Sequence, residues 1–61
     1  MTTYLNMRTS YGVETVDEIK KSSFDSWSEF RAELSRLISE YNMCGMPVYA
    51  SSRCTKEWRA K

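Results

Sequence analysis

The chain has 61 residues, 41% hydrophobic and 28% charged, with a net charge of +1 and no histidine. A domain of this size buries only about 60% of the surface its unfolded chain exposes, so it has one small core and no room for a second domain. The near-neutral balance excludes a strongly basic nucleic-acid protein and an acidic mimic of one.

Thr3 to Thr9 alternates, with Leu5 and Met7 on one side and Tyr4, Asn6 and Arg8 on the other, which predicts a first strand. Ser10, Tyr11 and Gly12 then form a three-residue connection, with the glycine in the left-handed position that closes such a turn. The resulting hairpin pairs Thr9 with Val13, which sets Met7 by Thr15, Leu5 by Asp17, Arg8 by Glu14 and Tyr4 by Glu18. The second strand spans 13–19. A short helix over 16–21 competes, because Thr15 and Glu18 have capping-box spacing, but the two valines favour extension.

The stretch from Ser26 to Gly45 organises the rest. Trp27, Phe30, Leu34, Leu37, Ile38 and Tyr41 recur at steps of three and four, which is one face of a helix over about 26–44. Ser26 and Glu29 form a capping box at its start. On the outer side Glu33, Arg36 and Glu40 are spaced for ordinary surface ion pairs. Gly45 suits the left-handed position past the helix end, Met46 packs back on Tyr41, and Pro47 forbids continuation. A third strand follows over 46–51, with Met46, Val48 and Ala50 on its apolar side. Residues 52–61 form a polar final turn or short helix, in which Cys54 and Trp58 share a side and Trp58 acts as a lid on the core.

The expected fold class is α+β in a single domain: a ββαβ chain whose three-stranded sheet, in the order 2-1-3, carries one helix on one face.

The chain lacks the parts of an enzyme. Serine and cysteine nucleophiles need a base, usually histidine. Asp17 and Glu18 are neighbours on a strand and point to opposite faces, so they do not form an acid and base pair. The only two glycines, Gly12 and Gly45, are too far apart for a phosphate-cradling loop. So short a chain also leaves little room for a pocket of about 300 Å³. No catalytic residue, cofactor or metal site is expected, since two thiols alone do not close a zinc site. Cys44 and Cys54 are read as reduced thiols of a cytoplasmic protein. Met1 to Met7 holds no apolar run, so no secretory leader is expected, and no stretch is apolar enough to span a membrane.

What remains is binding. Residues 53–61 set Arg53, Lys56, Arg59 and Lys61 against Glu57 alone, so the basic charge gathers at this end. Tyr4, Tyr11, Tyr49 and Trp58 are too many to lie under one short helix, so some reach the outer sheet face as a surface for a partner. The expected contacts are Tyr49, Arg53, Lys56, Trp58 and Arg59, and the expected partner is a protein or a second copy of the chain as a homodimer. Nucleic acid is the alternative, disfavoured because the helix exposes Glu29, Glu33 and Glu40 to any phosphate backbone.

Glu40-Tyr41, Gly45-Met46-Pro47-Val48-Tyr49 and Ser52-Arg53-Cys54-Thr55-Lys56-Glu57-Trp58 resemble small uncharacterised proteins encoded by tailed bacteriophages and prophages. The resemblance implies a bacterial host cytoplasm as the setting and a modulator of a host or phage protein as the role. It transfers no functional residue.

Overall fold

The structure is a computed structural model and describes residues 2–59. Strand β1 (Thr2–Thr9) and strand β2 (Gly12–Lys20) form a hairpin, a 3-10 turn covers Lys21–Ser23, and helix α1 (Trp27–Met43) follows. Strand β3 (Val48–Ser51) and a four-residue helix α2 (Lys56–Arg59) complete the order. Both β2 and β3 pair antiparallel with β1, giving a three-stranded antiparallel sheet in the order β2-β1-β3. The α+β architecture and the strand order are those the sequence predicts.

Helix α1 begins and ends for the reasons its flanks suggest. Ser26 is the N-cap, its hydroxyl accepting from the Glu29 amide at 3.2 Å, while the Glu29 carboxylate reaches back to the Asp25 amide at 3.3 Å. At the other end the Met46 amide donates to the Tyr41 carbonyl at 2.8 Å and the Gly45 amide to that of Asn42 at 3.0 Å. With Gly45 at φ +80°, this is a complete Schellman motif, and two orphan carbonyls of the last turn are satisfied. The motif also shortens β3. Its start moves from the expected residue 46 to Val48, because the Met46 amide is committed to the helix end and Pro47 has no amide to give.

The hairpin carries the main correction. Leu5 opposes Asp17 and Tyr4 opposes Glu18 as expected, but beyond them the register slips by one. Asn6 opposes Thr15, Met7 opposes Glu14, Arg8 opposes Val13 and Thr9 opposes Gly12, leaving Val16 as the extra residue of a β-bulge. The expected Met7–Thr15, Arg8–Glu14 and Thr9–Val13 pairs therefore do not form. Gly12 does take the positive φ that closes the turn, at +123°. Thr9 stitches that turn, its hydroxyl donating to the Gly12 carbonyl at 2.9 Å and accepting the Tyr11 amide at 3.1 Å.

The helix-side face of the sheet holds the core. Leu5 is fully buried and Phe30 is 3% exposed, with Ile19 and Val48 also buried. Each such side chain contributes about 1.5–3 kcal/mol on burial. Phe24 and Trp27 both meet Phe30 edge to face, at 5.9 and 5.7 Å between ring centres, and Lys21 Nζ sits 5.1 Å from the Trp27 ring centre. Trp27 itself is 48% exposed, so the apolar stripe is inserted from Phe30 onward and its first residue forms a rim. The Tyr41 hydroxyl crosses to the sheet and donates to Asp17 Oδ2 at 2.9 Å, giving the charged side chain opposite Leu5, just beyond the bulge, a partner. On the solvent side Arg36 bonds both Glu33 and Glu40, as the spacing predicts.

Candidate functional site

The opposite face of the sheet was expected to be open. Instead, the chain covers much of it with its own residues 52–59. The bulge at Val16 turns Thr15 to the same side as Asn6, and both side chains are buried there. Thr15 Oγ1 donates to Asn6 Oδ1 at 2.6 Å and accepts the Thr55 amide at 3.0 Å. Asn6 Nδ2 donates to the Arg53 carbonyl at 2.9 Å. Two short polar side chains in the sheet thus hold the returning backbone at two points, and no buried side-chain polar atom among the described residues is left without a partner.

The return is built to be held. The Ser51 hydroxyl accepts the Arg53 amide at 3.1 Å and turns the chain out of β3. The Thr55 carbonyl accepts the Arg59 amide at 3.1 Å and begins α2. Cys54 lies before α2 starts, so the expected four-residue helical spacing between Cys54 and Trp58 does not apply, and the two side chains line separate clefts.

Those clefts flank the return. On one side Tyr11, Val13, Glu14, Thr15, Thr55 and Trp58 are among the lining of a cleft of about 420 Å³. On the other, Tyr4, Ser52, Arg53, Cys54 and Arg59 line a cleft of about 410 Å³. The expectation that so short a chain leaves little room for such volumes is corrected. The space arises between two surface elements, the sheet and the return, and needs no hollow core.

Of the five expected contacts, Arg53 and Arg59 share the second cleft, while Trp58 lines the first and is half-buried. Trp58 therefore lies on the outer side of the sheet, away from the core beneath α1. Tyr49 opposes Asn6 on the outer face and is 39% exposed, and Lys56 is exposed on α2. Sequence reasoning passed over Tyr11 as a contact, although it is 99% exposed at the hairpin tip, and over Val13, also exposed. The signal for Tyr11 was its place in a turn, where no core side chain belongs.

The electrostatics differ between the clefts. Glu57 is among the lining of the aromatic one, whereas Arg53 and Arg59 line the other. Partial burial holds the Tyr4 phenol above its ordinary range, reinforced by the neighbouring Cys54 thiol and by Glu18 on the adjacent strand, and partly offset by Arg59. Cys44 caps α1 on the helix side while Cys54 lies on the outer side, so the sheet separates the two free thiols. Among the described residues no group of three or more histidine, cysteine, aspartate or glutamate side chains is placed to hold a metal ion. Among them, too, no helix is long and apolar enough to cross a membrane. No family model matches the chain, and no curated protein or solved structure matches it.

Proposed function

We propose that the chain is a small non-catalytic protein-interaction module that docks through the outer side of its sheet, using the C-terminal return and the hairpin tip together. In the setting implied by the phage resemblance, it modulates a host or phage protein. The observation that carries this reading is the exposed Tyr11 together with Val13 and the half-buried Trp58 in the lining of one cleft of about 420 Å³. Large aromatic side chains around a desolvatable pocket are where binding energy concentrates in protein interfaces. The other expected contacts, Tyr49, Arg53, Lys56 and Arg59, surround the same return and supply a polar rim.

Capture from bacterial lysate with immobilised wild-type protein and with Tyr11→Ala, each with and without nuclease, tests the reading. Tyr11 has nothing to lose in folding at 99% exposure, so the variant stays native. The reading expects a protein retained by the wild type after nuclease treatment and lost with Tyr11→Ala. Retention that disappears with nuclease and falls steeply with salt supports nucleic acid instead and overturns it.

A further inference from the structure

The cleft on the far side of the return has a chemistry of its own. Arg53 and Arg59 both line it, together with Ser52, Tyr4 and Cys54. Among the described residues the ion pairs are those of Arg36 with Glu33 and Glu40, so no carboxylate side chain of a described residue lies within ion-pair distance of Arg53 or Arg59. Glu18, which opposes Tyr4 on the neighbouring strand, and Glu57 of α2 are not among the residues lining the cleft.

The site is also held in place. The Arg53 carbonyl is fixed by Asn6 Nδ2 and its amide by the Ser51 hydroxyl, while the Arg59 amide is fixed by the Thr55 carbonyl. Thr55 is itself tied to the sheet through Thr15. Both arginines thus leave backbone that the sheet has already ordered, which lowers the entropy a ligand must overcome.

We infer that this cleft binds the phosphoryl group of a phosphate monoester or of free phosphate, with Arg53 and Arg59 as the two cationic jaws and Ser52 and Tyr4 as neutral donors. Two guanidinium groups offer planar donor forks and a double positive charge, which suits a dianion with three terminal oxygens. A carboxylate would engage one fork and leave the second charge unmatched. A phosphodiester carries a single charge and would under-fill the site in the same way. The docking reading is carried by Tyr11, Val13 and Trp58 at the aromatic cleft, so absent phosphate binding leaves it standing, and lost docking in Tyr11→Ala leaves this inference standing.

The test is an amide and arginine side-chain NMR titration of the full chain at constant ionic strength. Its arms are inorganic phosphate, phosphoserine, acetate and a single-stranded oligonucleotide, repeated on Arg53→Gln and Arg59→Gln. The expected result is saturable shifts centred on Ser52, Arg53 and Arg59 with either phosphate compound, weakened by about tenfold or more in each variant and with acetate. Tighter phosphoserine binding identifies an esterified phosphoryl as the source, and equal binding identifies the free ion. Both exposed arginines can be changed without touching the core, and retained spectral dispersion verifies this. Shifts that stay linear in concentration, spread equally to Arg31 and Lys56, or persist in both variants would overturn the inference. So would an oligonucleotide that displaces phosphoserine.

Discussion

Thr15 Oγ1 lies 2.6 Å from Asn6 Oδ1 across the β1–β2 pair, on the side of the sheet away from α1. The same hydroxyl accepts the Thr55 amide. This one group therefore joins the sheet to the segment that carries four of the five expected contacts, and it is the hinge between fold and function here.

Replacing Thr15 with valine keeps the shape and removes the hydroxyl. The Thr55 amide and Asn6 Oδ1 are then left without their partner in a partly buried site, at a cost of about 1–3 kcal/mol. Thr15→Ser restores the hydroxyl and recovers most of that loss. Urea unfolding of the two variants beside the wild type measures the difference, and equal midpoints for valine and serine would contradict the role given to the hydroxyl.

The bulge gives a second outcome. Removing Val16 leaves Leu5 opposite Asp17 and Asn6 opposite Thr15, because the deleted residue is the unpaired one. The deletion variant is expected to keep both cross-strand pairs and the bond to Thr55, losing only the half-buried valine side chain. Cross-strand nuclear Overhauser contacts between β1 and β2 check it. Removing Glu14 instead shifts Val13 and Gly12 against their partners and disrupts the turn.

Tyr41 links helix and sheet through Asp17. That bond first, then burial and the nearby negative groups, raises the phenol above its ordinary value of 10.0. A raised folded-state value means that the stabilisation is fully present below about pH 10, the unfolded value, and is lost as pH rises through the higher folded value. Tyr41→Phe is expected to cost about 1–2 kcal/mol at neutral pH, the scale of a hydrogen bond to a charged group discounted for partial exposure. It also flattens the decline in stability above pH 10. Thermal melts of both proteins between pH 8 and about 11 read the slope.

The two glycines are not equivalent. Gly45, at φ +80°, lies near the left-handed well, and an added Cβ meets no atom within 4 Å, so Gly45→Ala costs about 1–2 kcal/mol of backbone strain alone. Gly12, at +123°, lies outside that well and Gly12→Ala costs more, although space is equally free. Denaturation midpoints falling in the opposite order would contradict the assigned backbone conformations.

How far the residues foretold this structure follows from what each signal depends on. The helix was legible to within a residue at both ends because its caps are local chemistry: Ser26, Glu29, Gly45 and Pro47 act on backbone groups within one turn. The hairpin was legible at Leu5 and Asp17 and not at Thr15. The same number of residues joins that pair whether the odd one sits in the turn or at Val16, and period-two alternation does not say which. The cover over the outer face was hidden for a different reason. Asn6 reads as a residue of the polar side and Thr15 as a partner of Met7 on the apolar side, whereas their burial together on the outer face depends on the bulge and on Arg53 and Thr55, more than forty positions away for Asn6 and forty for Thr15. The basic charges at this end were visible in the sequence, whereas the gathering of Arg53 and Arg59 in one cleft required the return to be in place.

The most direct measurement is native-state hydrogen exchange at the Thr55 amide, in the wild type and in Thr15→Val. An amide donating to a buried hydroxyl under a folded return exchanges about tenfold or more slowly than an exposed one, and loses that protection when the hydroxyl is removed. Protection in the wild type that collapses in Thr15→Val is the predicted result. Exchange at the unfolded-chain rate in the wild type would contradict it, since residues 52–59 would then lie off the sheet and neither cleft would exist.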